Sequence, residues 1–101
     1  LSVSQLSDRL DGASFREANL RSALVNGAHI VDVDFMGANL RLADLSRTEV
    51  EATDLRRADL RGASLLMATL KEVRLDAARW GAGTLWPRHM SEGELEALTA
   101  S

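Results

Sequence analysis

Cysteine and tyrosine are absent from the 101 residues, proline occurs once, and aromatic residues make up 4%. Without cysteine there is neither a disulfide framework nor a thiolate metal site, which fits a reducing compartment, and the cytoplasm is the expected location. No apolar run reaches the roughly 18 residues of a membrane-crossing helix and no signal-like segment is present, so no membrane association is expected. A formal net charge of −3 and the scarcity of stacking aromatics argue against direct binding of nucleic acid. The length suits one domain and would be marginal for an ordinary globule. The chain opens on Leu1 and not Met, and reads as a piece of something longer.

What is present is a period. Every fifth residue from Leu10 to Leu85 is apolar: Leu10, Phe15, Leu20, Val25, Ile30, Phe35, Leu40, Leu45, Val50, Leu55, Leu60, Leu65, Leu70, Leu75, Trp80 and Leu85. With about half the chain apolar, chance at one fixed register is on the order of one in 10^5. Two residues before each of these, from Ala13 to Ala78, stands a small or β-branched residue: Ala in most pentads, Val or Thr in the others. On an α-helix five residues turn by roughly 140° modulo a circle, so the pattern makes no stripe. On a flat strand an odd step alternates faces, so the pattern fails there too. A chain that points two side chains inward per five residues and then turns a corner satisfies it, and repeated corners build a solenoid. Phe15, Leu20, Val25, Ile30, Phe35, Leu40, Leu45, Val50, Leu55, Leu60, Leu65, Leu70, Leu75 and Trp80 are its expected core. Each buried Leu, Ile, Val or Phe contributes roughly 1.5 to 3 kcal/mol.

The triplets Ala-Asn-Leu at 18–20 and 38–40 and Ala-Asp-Leu at 43–45 and 58–60 resemble the pentapeptide-repeat family, whose motif is a small residue, Asp or Asn, Leu or Phe, then two variable positions. The resemblance covers about 70 residues. It implies an all-β fold, a right-handed quadrilateral parallel β-helix of about 3.5 to 4 coils. Four sides also follow from alignment at a spacing of 20, where Arg21, Arg41 and Arg61 stack, Asn19, Asn39 and Asp59 stack, and Phe15 lies under Phe35. Glycines at 12, 27, 37 and 62 fall two after a fifth residue, where the backbone turns.

The expected organisation is an entry segment over 1–12, the β-helix over 13–85 and a C-terminal cap over 86–101. Gly81, Gly83 and Pro87 interrupt the ladder. Ser91-Glu92-Gly93-Glu94 is a capping box that predicts a short α-helix from 92 to about 99. Gly93 costs it about 1 kcal/mol and it is too short to stand alone, so Leu95, Leu98 and Met90 must dock. The open end of the last coil is the nearest place, with a homodimer through the C-terminal end as the competing expectation.

Candidate binding residues are those on outward positions. Arg21, Arg41 and Arg61 form a ladder that would suit planar anions. Asp34, Asp54 and Arg74 stack on another side, with Asp54 expected to pair with Arg74; diverging side chains make no metal site there. Leu24, Leu42, Leu66 and Met67 are apolar at outward positions near residues 45 and 65, with Trp86 expected to continue the column; such patches mark contact surfaces, to be covered here either by the terminal helix folding back or by a partner. His29 lies one rung from Glu49, and neither it nor His89 has a Ser or Cys in a triad arrangement. Gly81-Ala82-Gly83-Thr84 lacks the Lys of a phosphate loop. No enzyme activity, cofactor or metal is expected.

The expected function is therefore a non-catalytic protein-binding or scaffolding module presenting flat β-helix faces to a protein partner. The resemblance also implies an alternative, a DNA mimic that binds type II topoisomerases such as DNA gyrase, of the quinolone-resistance type. Mimicry needs a densely negative surface. Between Asp8 and Arg79 stand twelve acidic and eleven basic residues, which is near neutrality.

Overall fold

The computed structural model describes residues 10–99. The expected entry segment falls, but for residues 10–12, outside the described residues.

The chain winds as a four-sided tube with twenty residues per coil. Parallel bridges join Ser14 to Asp34, Asp54 and Arg74 in turn, and Asn19 to Asn39, Asp59 and Arg79. A third column runs Leu24, Asp44, Ser64 and Leu85. On the fourth side three short strands pair in parallel, β1 (His29–Val31), β2 (Glu49–Glu51) and β3 (Thr69–Lys71), with Ile30, Val50 and Leu70 in register. We number the sides in chain order by their inward residues. Face 1 carries Phe15, Phe35, Leu55 and Leu75; face 2 Leu20, Leu40, Leu60 and Trp80; face 3 Val25, Leu45, Leu65 and Trp86; face 4 Leu10, Ile30, Val50 and Leu70.

Why this sequence turns four times per coil is written in two positions of each pentad. The residue two after each inward one has a left-handed backbone, with φ between 50° and 78° at fourteen successive corners from Gly12 to Ala77. Only four of these are glycine; the others include Glu17, Leu42, Arg57 and Met67. An L-residue there costs roughly 1–2 kcal/mol. That cost is offset because the same geometry aims the residue's N–H at the next coil, as Glu17 N–H donates to the Met36 carbonyl at 2.9 Å and Arg57 N–H to that of Asp76 at 3.0 Å. At most corners the N–H of the small residue also donates back to the inward residue's carbonyl, Ala38 to Phe35 at 2.9 Å for example. Among the described residues, the corners after Ile30, Val50 and Leu70 lack that bond and run as strands, while after Leu45 the Thr48 hydroxyl donates in its place at 2.7 Å. At the strand corners the small position is held by Val33, Thr53 and Val73, whose branched side chains favour extended backbone.

The interior is narrow, and this decides what fills it. Leu20, Leu40 and Leu60 are fully buried, with Ala23, Ala38, Ala58 and Ala63 beside them also at 0% exposure. Phe15 and Phe35 stack at 5.5 Å between ring centroids. All the expected core residues point inward. Phe15, Leu70 and Trp80 are only half-buried, since the end coils have a neighbour on one side alone.

Leu85 departs from the expected ladder. It is 45% exposed, and its bridge partner Ser64 lies twenty-one residues away instead of twenty. One extra residue in Gly81–Gly83 shifts inside and outside by one position. Thr84 thus takes the small inward place, its hydroxyl donating to the Leu60 carbonyl at 2.8 Å, and Trp86 takes the large one. Trp86 therefore does not continue an outward apolar column; it packs on the core and meets Trp80 edge-on at 6.0 Å.

α1 (Glu92–Thr99) begins as its capping box predicts, with Glu94 N–H donating to Ser91 Oγ at 3.2 Å. It lies over the last coil with Leu95 buried. Its C-terminal end does for that coil what a further rung would have done: the Thr99 carbonyl, left without a partner by the end of the helix, accepts the Ala77 N–H at 2.8 Å. The Thr99 hydroxyl accepts from Trp80 Nε1 at 2.9 Å and donates to the Leu95 carbonyl at 2.8 Å. Two outcomes follow for urea unfolding. Leu60→Ala, which empties the middle of the tube, lowers the unfolding free energy by about 3 kcal/mol. Thr99→Val, which breaks only the clasp between helix and last coil, lowers it by about 1 kcal/mol.

Candidate functional site

The outer faces are built from the position before each inward residue and the two after it. The first of these is largely structural. Asn19, Asp34, Asn39, Asp44, Asp54 and Asp59 each accept, through Oδ1, the backbone N–H two residues on, at 2.9 to 3.2 Å. The preference for Asp or Asn before the inward residue is thus a turn-capping requirement, because a short side-chain acceptor satisfies a donor that the corner leaves free.

Among the described residues, ion pairing on these faces is local to a corner at Asp54–Arg56, Asp59–Arg61 and Arg74–Asp76, and runs between rungs at Arg16–Asp34, His29–Glu49 and Lys71–Glu51. Asp54 holds Arg56 through both oxygens, at 2.9 Å from Nε and 2.7 Å from Nη2. Asp59 holds Arg61 the same way, at 2.9 and 2.6 Å. Asp54 is therefore not paired with Arg74, which lies 3.8 Å from Asp76, while Asp34 meets Arg16 at 3.3 Å. A two-residue step across a corner brings carboxylate and guanidinium into fork geometry with no loss of register, and that outcompetes the rung above. His29 Nδ1 does reach the next rung, at 3.0 Å from Glu49 Oε2, on the strand face.

The arginine ladder is accordingly uneven. Arg61 is committed to Asp59, Arg41 is half-buried and Arg21 is exposed. The apolar residues come together better. Leu24 and Leu85 stand on face 3, Leu42 on the edge it shares with face 2, and Leu66 and Met67 on the edge it shares with face 4. All five are exposed, Met67 at 72%. Leu42 is braced along its edge by lying over Gly62, where an added Cβ would come within 2.7 Å of Leu42 Cδ2. The Asp44–Ser46 pair, at 2.6 Å, puts a polar strip between Leu24 and Leu85. Beside Met67 a shallow groove runs along the edge, lined by Leu66, Thr69, Pro87, Arg88 and His89. The period of five counts Leu85 as an inward residue, yet Thr84-Leu85-Trp86 itself repeats the order small, variable, large.

Charge state follows from the two forks. The bidentate hydrogen bonds from Arg56 and from Arg61 hold the Asp54 and Asp59 carboxyls below their usual range, against a smaller opposing effect of burial. A carboxyl that is more acidic folded than unfolded adds stability above its unfolded value, about pH 3.9. That contribution fades as pH falls through the lower folded values. Arg56→Gln and Arg61→Gln should each flatten the loss of stability on acidification below about pH 4, measured as unfolding midpoint against pH.

The pentapeptide repeats family profile matches residues 13–51 and 38–76, with 8 copies. No curated protein matches the sequence. Solved structures do. A pentapeptide repeat protein from Nostoc Pcc 7120 is 26% identical, with a TM-score of 0.86 over 96% of this chain and 80% of that one. HetL, a pentapeptide repeat protein involved in heterocyst differentiation regulation in Nostoc sp. strain PCC 7120, is 31% identical, with a TM-score of 0.72 over 76% of this chain. QnrB1, a plasmid-mediated fluoroquinolone resistance protein, is 20% identical, with a TM-score of 0.69 over 83% of this chain, and shows a likeness of fold alone. The chain spans 33% of HetL and 45% of QnrB1. With the profile matched over more than half its length and the four-sided coil in place, the chain belongs to the pentapeptide repeat family.

Proposed function

We propose that this chain is a non-catalytic binding or scaffolding module that meets a protein partner through face 3 and its two edges. One observation carries this: Leu24, Leu42, Leu66, Met67 and Leu85 are exposed together on one side of a tube whose interior is otherwise closed. The frame beneath them is rigid, since every coil is hydrogen-bonded to its neighbours, so the residues are held at fixed spacing before any partner arrives. Burying an exposed Leu or Met side chain contributes roughly 1.5–3 kcal/mol, enough for a few of them to support a stable contact. α1 supports a role as a cap in preference to a dimer contact, because its buried Leu95 rests on its own solenoid.

The topoisomerase-directed alternative is less well supported. A DNA mimic needs an unneutralised acidic surface. Here Asp54 and Asp59 are closed off by Arg56 and Arg61, and face 2 carries further arginines.

The test is site-specific photo-crosslinking in the native host. A photoreactive residue at position 67 should trap a discrete protein, whereas one at position 17, on the diagonally opposite edge, should not. Leu66→Asp should reduce the crosslink at least about tenfold while leaving the unfolding midpoint unchanged. Equal trapping from both positions, or a crosslink indifferent to Leu66→Asp, would remove face 3 as the contact.

A further inference from the structure

We infer that face 2 carries an oxyanion site, formed by Arg41, Arg57 and Arg79, that takes a phosphate group. These three side chains line one shallow depression together with Asn39 and Asp59. They come from three different coils and three different columns of the tube: Arg41 follows Leu40, Arg57 sits at the corner after Leu55, and Arg79 precedes Trp80 in the column of Asn39 and Asp59. The period of five does not align them, so only folding brings them to one place.

Three features separate this cluster from an ordinary solvated basic face. Among the described residues none of the three guanidinium groups has a carboxylate within 4.0 Å, whereas Arg16, Arg56, Arg61 and Arg74 all do. The acid in the depression, Asp59, is already occupied: Arg61 takes both its oxygens, and Oδ1 also accepts the Arg61 backbone N–H. And on one side of Arg57 the floor is clear, because its column neighbour at the same corner is Ala77; on the other, Glu17 Cγ lies over Gly37, 3.2 Å from where a Cβ would stand. Glu17, one rung beyond Gly37, lines the neighbouring notch with Arg57 and makes no ion pair with it among the described residues.

Three guanidinium groups around one depression, none within 4.0 Å of a carboxylate among the described residues, repel one another, and an anion that enters relieves this. A tetrahedral phosphate offers three or four oxygens in different directions, which suits guanidinium groups supplied by three columns of the tube better than a planar carboxylate. The group could arrive as inorganic phosphate or on a phosphorylated side chain; the chemistry of recognition is the same.

The experiment is a titration of the whole chain followed by NMR of the arginine Nε–Hε and backbone signals. Its arms are sodium phosphate, phosphoserine, and sodium chloride at matched ionic strength. Phosphate or phosphoserine should give saturable shifts at Arg41, Arg57 and Arg79, with a dissociation constant on the order of 1 mM. The tighter arm names the source. Arg57→Gln and Arg79→Gln should each weaken binding about tenfold, and both variants keep backbone preferences close to those of Arg, so the fold is not at issue. Arg88→Gln, on the far edge of face 3, should leave it unchanged. Shifts reproduced by chloride, shifts that never saturate, or Arg57→Gln and Arg79→Gln binding as the parent chain does would overturn the site.

Discussion

The constraint on which everything else depends is the left-handed corner residue. It is the only place in the pentad where the backbone leaves its comfortable region, and it does so fourteen times in succession. The corner makes the tube four-sided and points an N–H along the axis into the next coil. It also sends the following two side chains alternately in and out. No single corner is favourable on its own, since a non-glycine residue there is strained. Stacked coils make it favourable, because from Gly12 to Arg57 each corner N–H donates to the next coil, and the tube closes over an apolar core. Stability of this kind is cooperative along one axis and weakest at its ends.

The ends show how that weakness is handled. The last coil has donors that elsewhere reach a following coil, and α1 supplies one carbonyl, from Thr99, in the place of the absent rung. A helix of eight residues with Gly93 near its start would not persist alone, so the helix and the last coil stabilise one another. Trp80 and Trp86 stand edge-on to one another at the last coil, an exchange of many small rungs for two large rings where the repeat can no longer continue.

The outer faces obey a different economy. The acidic and amide residues that look like a binding surface in the linear sequence are mostly taken up by the turns and by neighbouring arginines, as at Asp54 and Asp59. What remains available to a partner is what the turns do not use: the apolar residues around face 3 and the uncommitted arginines of face 2. These lie on adjoining sides of one rigid prism and meet at Arg41 and Leu42.

Sequence alone determined the coil, its four sides, the inward ladder from Leu10 to Trp80 and the start of α1, because strict period and local capping chemistry act within a few residues of each position. It misplaced Leu85 and Trp86, since one inserted residue among Gly81–Gly83 shifts the register and only pairing across the coil reveals it. It also expected Asp54 to pair with Arg74, where the folded coil gives it Arg56. Tertiary structure decided those points for a physical reason. The backbone period is fixed by sterics and hydrogen bonds that repeat identically, while a long charged side chain chooses among several partners by distances that exist only once the coils are stacked.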